Sequence, residues 1–548
     1  MIDWAGVCTN ALWIVGLAVV LTAFSHARWQ ACERGLRYRA VWGAPAYQVA
    51  FDLGLALVSA GLFFSARSTW EHLCWGAFAL LYTALGWVEW RRKSGGTNPA
   101  HAMRPAMEAG PAGGILAWFT GTVQRAEPWL ILAVVPLLLF PGRHSPWALV
   151  VIALVWGCRW LSRGRLSVRT PSDWGIIGML LMSGIGFWVS VDPSLARAAL
   201  YQMLAGVAIY YGVANWADSG GRLWVATAGL LALGGAVALG GVLTVGTIRH
   251  KLFDVPQVMG RVRLPLGETV NPNVLAGGLC LILPVALSLA LFAKFDRQSP
   301  ERARLVRALL ILDALAMLAA AVLLQSRGAW LALGLGLPLV VTLGSRWRKA
   351  LLVALIAAIV ILLNRVPLDQ VLEAISTGGE INGWDKREEI WSRALYMIQD
   401  FSYTGIGLGT FGVVGPVLYP YFLIGPDAHI PHAHNLFLQV AVDLGIPGLI
   451  SFLSLYGGSL WLAWRGCQRA RSWRQADEKA LFLGLLAGLV AMGLHGMVDA
   501  VTWGIVKPAI VPWWVMGLVA AATRVLPCSR EEGGEQGKTE DFTGVTGG

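Results

Sequence analysis

Charge is scarce in this chain. Only 14% of its 548 residues are Asp, Glu, Lys or Arg, and 56% are apolar, whereas soluble domains carry about 25% charged residues. That excludes an ordinary water-soluble fold, which would have too little polar surface to show. Paired cysteines are missing as well. Cys8, Cys32, Cys74, Cys158, Cys280, Cys467 and Cys528 are scattered, odd in number and never in C-x-x-C spacing, which argues against a disulfide framework or a structural zinc site and for small apolar fillers. No base precedes the first apolar run: "MIDWAGVCTN" carries one acid, whereas a secretory signal begins basic. There is no H-E-x-x-H. The loose G-x-G in "GIGLGTFG" (405–412) follows no strand, so it is no nucleotide motif.

Long apolar runs are what the chain has in abundance. About fifteen membrane crossings are expected, at 11–26, 48–66, 70–89, 123–140, 146–158, 174–191, 198–214, 223–246, 274–293, 308–325, 329–343, 350–363, 435–461, 481–500 and 509–523. If these alternate, the basic loops "RGLRYR", "WRRK", "RWLSRGRLSVR", "KFDRQSPERARLVR", "GSRWRK" and "WRGCQRARSWRQADEK" all fall on one side. Positive loops stay in the cytoplasm. The net charge of +11 therefore reads as orientation signal and attraction to anionic headgroups, not as a nucleic-acid surface. The expected organisation is an N-terminal three-helix transmembrane extension at 1–90, a Gly/Pro/Ala-rich cytoplasmic linker at 91–112 and a main transmembrane domain at 113–525. A large extracytoplasmic loop spans 364–434, and a disordered cytoplasmic tail follows at 526–548.

The outer loops carry arginines that this bias disfavours. Arg261 and Arg263 lie in "GRVRLPLGETVNPN", Arg327 in "QSRGAW", and Lys386, Arg387 and Arg393 in "GWDKREEIWSRAL". Guanidinium forks suit a doubly charged anion such as pyrophosphate. Other readings stand beside that one. Arg261 and Arg263 also read as solvated loop residues, and Arg327 as a residue that snorkels or bonds a helix carbonyl. Arg387 opens an amphipathic pattern with Ile390, Trp391, Leu395 and Ile398 and is not paired with Glu388 at i,i+1. Arg393 pairs with Glu389 at i−4.

Three histidines, His429, His432 and His434, crowd "HIPHAHN" just before a crossing. Three-histidine zinc centres exist, but this spacing lies on a Pro-broken loop with Asp427 as the one nearby carboxylate. A proton acceptor at a helix mouth fits better, since imidazole titrates near neutrality. Asn435, next to His434, is either part of that site or a helix cap. Late in the chain "MGLHGMVDAVTW" places His495 and Asp499 at i,i+4, expected to bond to each other as a buried structural pair, with a catalytic role as the alternative.

"PHAHNLFLQVAVDLGIPGLISFL" resembles the His-Asn-x-x-Leu…Gly-Ile-x-Gly-Leu signature of the O-antigen ligase and polymerase superfamily. "VNPNVLAGGL", "QSRGAWLAL" and "KREEIWSRALYMIQDFSYTGIGLGTFG" are similar to further segments of that family, in its order, over about residues 170–520. The resemblance implies an all-α, GT-C-like bundle of about twelve transmembrane helices, here with about three extra. It implies transfer of a glycan from an undecaprenyl-pyrophosphate donor to a hydroxyl on a glycan, lipid or protein acceptor. Transfer would occur on the outer side of the bacterial plasma membrane, with inversion and without metal or cofactor. By the same resemblance His434 would be the general base and Arg387 the catalytic clamp. One of Arg261 and Arg263 would join Arg387 on the pyrophosphate, and Arg327, His432 and Asn435 are further candidate substrate-binding residues. The family says nothing about residues 1–90. The competing class is a transporter or flippase of small anions or envelope lipids, which would need ionisable groups deep in the bilayer. Such groups are few here: Asp52, Asp313, Asp443 and the pair His495 and Asp499.

Overall fold

The apolar runs become helices, in a computed structural model that describes residues 2–93, 115–244, 271–296, 298–345, 347–365, 384–425, 430–470, 475–504 and 506–526. In chain order these are α1 (Trp4–Glu33), α2 (Tyr38–Trp42), α3 (Pro45–Ser65), α4 (Thr69–Lys93), α5 (Ile115–Leu139), α6 (Ser145–Arg163), α7 (Asp173–Trp188), α8 (Pro193–Trp216) and α9 (Gly220–Thr244). Then follow α10 (Pro272–Phe292), α11 (Pro300–Leu323), α12 (Arg327–Gly344), α13 (Arg348–Arg365), α14 (Trp384–Asp400), α15 (Phe411–Leu418), α16 (Leu436–Arg469), α17 (Ala476–Gly496) and α18 (Val511–Val525). No strand occurs among the described residues, and their six cysteines are free.

A helix stands at each expected crossing. Ten of them are long and apolar enough to cross a membrane, judged by length and composition: α1, α3, α5, α6, α9, α10, α11, α12, α16 and α17. Two shorter helices, α7 and α18, are also apolar. The expected linker lies outside the described residues from 94 onward, and the tail from 527. Arg261 and Arg263 fall in the undescribed 245–270, and His429 and Asp427 in 426–429.

Several helices begin where a short polar side chain meets proline. Asp192, Asn271 and Ser299 each accept a first-turn N–H, and a proline follows each at the first helical position, where its missing donor costs nothing. The core forms around α10 and α17, each buried along most of its length. Glycines set their distance. A Cβ on Gly488 would stand 2.3 Å from the Leu281 carbonyl oxygen, and one on Gly484 would stand 2.6 Å from Val285 Cα. Backbones that close are the membrane-helix alternative to a hydrophobic driving force.

Helix α16 is broken at Gly445 (φ 67°, ψ −179°). The groups freed by the break find partners in the glycine-rich segment 402–409. Ile406 N–H donates to the Val442 carbonyl (2.9 Å), and Ile446 N–H donates to the Ser402 carbonyl (2.7 Å). This is the structural use of "GIGLGTFG": a turn that plugs a helix break.

Candidate active site

One end of the bundle gathers four helix N-termini and one C-terminus. Asn435 shows how. Its Oδ1 accepts the N–H groups of Phe437 (3.0 Å) and Leu438 (3.1 Å), capping α16, while its Nδ2 donates to the Met497 carbonyl (3.0 Å) just past α17. The close approach is possible because Gly496 ends α17 against Leu436; a Cβ there would lie 2.9 Å from Leu436 Cβ. On the other side of α17, the ring of His495 faces Gly277 of α10 and Gly328 of α12. A Cβ on either glycine would come within about 3.5 Å of that ring. The Asn-Pro-Asn start, the Ser-Arg-Gly turn and the His-Asn mouth therefore meet around one helix end.

The expectation for His495 and Asp499 needs correcting. The crossing foreseen at 481–500 stops at Gly496, so Asp499 lies in the following turn and its carboxylate leaves the helix face. It faces the histidine loop instead. Asp499 Oδ1 is 3.4 Å from His434 Nδ1 and 4.0 Å from His432 Nε2, and it caps its own turn by accepting from Ala500 N–H (2.9 Å). His495 keeps an Nε2 without a hydrogen bond.

The loop fixes both histidine rings. His434 adopts φ 47°, a left-handed backbone that a non-glycine residue rarely takes and that marks functional segments. Its N–H donates to His432 Nδ1 (3.2 Å), and the two rings lie 4.3 Å apart. An accepting Nδ1 leaves the His432 proton on Nε2, facing Asp499. His434 Nδ1 faces Asp499 at 3.4 Å, and neither ring nitrogen of His434 makes a hydrogen bond; a proton on Nδ1, toward the carboxylate, would leave Nε2 as a free lone pair. Burial, with His434 and Arg387 adding to it, pushes His432 down to about 3, so its imidazole is neutral. Burial alone would raise Asp499, but the three histidines around it, His434 foremost, outweigh burial and hold the carboxyl well below the usual range.

Arg387 joins from α14, an amphipathic helix. Its Nη1 donates to the Val498 carbonyl, one residue from Asp499, and its Nε–H is buried without a partner. Burial pulls the guanidinium below its usual range, against the pull of Asp499. The helix is held from its opposite face. Glu389 accepts the N–H groups of Phe422, Leu423 (3.0 Å) and Ile424 (3.3 Å), and Arg393 pairs with Glu389 at 3.5 Å, as its spacing predicts. Ile390, Ala394 and Met397 pack with Phe411, Ile430 and Ala433.

Two residues brace the loop from below: Gln439, which the sequence did not single out, and Asp443, expected only as an ionisable group within the bilayer. Gln439 Oε1 accepts the Ala433 N–H (2.7 Å), and its Nε2 donates to Asp443 Oδ1 (3.0 Å). Asp443 also accepts from Trp503 Nε1 (2.8 Å) and Gly409 N–H (3.2 Å). The signal that could have joined them is the i,i+4 spacing of Gln439 and Asp443 in "QVAVD". Arg327 opens α12 beside Gly328, on the turn that approaches His495. His432, His434 and Asp499 offer ligand atoms within 4.8 Å of one another, the spacing of a metal site.

This architecture is that of an all-helical, multi-pass membrane protein with a polar site at one end of the bundle. Residues 313–453 match the family model described as O-antigen ligase, and the match supports a likeness of that segment to the O-antigen ligase and polymerase superfamily. It takes in Arg327, Arg387, His432, His434 and Asn435 and ends before Asp499. No curated protein matches the chain.

Proposed function

We propose that the protein is a glycosyltransferase that moves a glycan from an undecaprenyl-pyrophosphate donor to a hydroxyl acceptor at the outer face of the plasma membrane. The observation that carries this reading is the approach of His434 Nδ1 to Asp499 at 3.4 Å, which favours a proton on Nδ1 and a free Nε2, with Arg387 bonded to the neighbouring Val498 carbonyl. A base oriented this way takes the acceptor proton on Nε2 while the carboxylate steadies the imidazolium that forms. The acceptor oxygen attacks the anomeric carbon from the face opposite the leaving group. The carbon–oxygen bond to pyrophosphate breaks with inversion, and its electron pair leaves on the phosphate.

Charge developing there meets Arg387, whose Nε–H has no other partner, and the positive ends of α10, α12 and α16. Arg261, Arg263 and Arg327 are placed by sequence to complete the clamp. Asn435 acts by tying the histidine loop to the turn after α17. His432, neutral, supports the loop through the His434 N–H. The two clamped groups suffice because pyrophosphate is already a good leaving group, so no metal is required.

A second reading has its own observation: the metal-ligand spacing of His432, His434 and Asp499. The guanidinium beside them argues against it, since a cation adjoining the cluster repels a second one. Transfer from a lipid-linked oligosaccharide by purified protein in nanodiscs, with EDTA throughout, decides. Full activity in wild type, and loss in His434→Ala and Arg387→Ala that still fold, supports base and clamp. Abolition by EDTA makes the cluster a metal site. Absence of transfer to every glycan, lipid and protein acceptor sinks the enzyme reading.

A further inference from the structure

The N-terminal helices reach the site. Ile2 N–H donates to Glu388 Oε1 at 3.3 Å, and the Trp4 ring stands edge-on to Trp391, centroids 6.5 Å apart at 88°. Trp391 is in turn edge-on to Trp384, at 5.2 Å and 89°. Trp384, Arg387, Glu388 and Trp391 recur at i, i+3, i+4 and i+7, which is one stripe of a helix. The stripe gripped by the N-terminal end of α1 is therefore the stripe that carries Arg387.

Helix α1 is itself anchored to the helix behind the histidines. Thr22 Oγ1 bonds Ser454 Oγ (3.1 Å) on α16, and Phe24 packs edge-on against Trp174 of α7 (5.6 Å). It is also locked to α3, where Gly16 and Gly54 let the two backbones touch. Helix α1 thus packs on α16 beyond the break at Gly445 and, at its N-terminal end, on α14, which carries Arg387.

We infer that the N-terminal end of α1, through Trp4 and the preceding Ile2, is a positioning element that holds Arg387 at its working distance from His434. The inference rests on the reading of Arg387 as the pyrophosphate clamp. Neither Ile2 nor Trp4 touches the reacting atoms; both act through α14. Removing the grip frees one face of a helix whose other face stays docked, so α14 tilts and the guanidinium shifts, while His434 and the acceptor side stay in place.

The test is steady-state transfer by the full chain in nanodiscs. Trp4→Ala and Glu388→Ala are each expected to lower kcat/KM for the lipid-linked donor between about tenfold and a hundredfold, chiefly as a raised donor KM, with the acceptor KM unchanged. Trp4→Phe, which keeps a ring, restores most of the loss. Combined with Arg387→Ala, neither variant adds a further loss, since both act through the same guanidinium. Trp70→Ala, the same truncation on the exposed side of α4, stays at the wild-type rate. Wild-type donor KM in both variants, or losses that add in full to that of Arg387→Ala, would overturn the inference. A cross-link between Ile2→Cys and Glu388→Cys reports the docking without any transfer assay. Its absence in the membrane also overturns the inference, whereas a cross-linked protein that moves no glycan even as wild type condemns the transfer reading instead.

Discussion

Asp499 and His434 approach each other at 3.4 Å across the gap between two helix ends. Neither belongs to the other's helix. The contact exists because α17 stops at Gly496 and α16 starts at Leu436, and the two ends are tied by the Asn435 amide. It favours a proton on His434 Nδ1, toward the carboxylate, and with it a free Nε2.

Replacing that carboxylate by an amide tests the arrangement directly. In Asp499→Asn the side-chain NH2 turns toward Nδ1, the proton moves to Nε2 and the base is lost. The expected fall in kcat is on the order of a thousandfold or more, with little change in donor KM. The double variant Asp499→Asn, His434→Ala should be no slower than His434→Ala alone, because the two residues act as one unit. Additive losses would contradict the pairing.

Backbone strain at His434 yields a second expectation. At φ 47° a Cβ costs roughly 1–2 kcal/mol that glycine does not incur. His434→Gly and His434→Ala should both be inactive, yet the glycine variant should be the more stable by about 1 kcal/mol. Thermal unfolding in one detergent, side by side, decides; equal midpoints would mean the loop relaxes when the imidazole goes.

Acid should loosen the site. His432 binds its proton only near 3 when folded, against 6.5 as a free group. Between those values the unfolded chain takes up a proton that the folded chain refuses, so stability declines as pH falls from about 6.5 toward 3. Asp499 acts in the same direction at lower pH. Its folded carboxyl stays ionised below the ordinary value of 3.8, so its contribution, present above that value, is lost as pH falls further. The thermal midpoint between pH 7 and pH 5 should drop more steeply for wild type than for His432→Gln. Parallel curves would show that His432 is not buried neutral.

The helix break offers a purely structural check. Gly445 sits at φ 67°, and a Cβ there would lie 2.7 Å from the Tyr403 carbonyl carbon. Gly445→Ala should destabilise the protein by at least about 1–3 kcal/mol. Because the break positions Asp443 and hence Gln439 beneath the histidine loop, transfer should fall too. A stable, fully active alanine variant would show that segment 402–409 docks without need of the break.

The chain's own pattern determined the membrane class, the helix at each crossing and the neighbourhood of the site. Apolar run length, charge asymmetry and short polar motifs are local properties, and a helix needs only its own residues to satisfy its backbone in lipid. His434, Arg387, Asn435 and the Arg393–Glu389 pair were legible for that reason. Only the tertiary structure decided which of these groups meet. Asn435 and Met497 lie 62 residues apart, Arg387 and Val498 lie 111 apart, and Ile2 and Glu388 lie 386 apart. Asp499 looked like a helix-face partner of His495 because periodicity carries past a helix end unless something stops it. What stops it is the packing of Gly496 on Leu436, a close approach between two helices. Spacing along one helix holds no record of that contact.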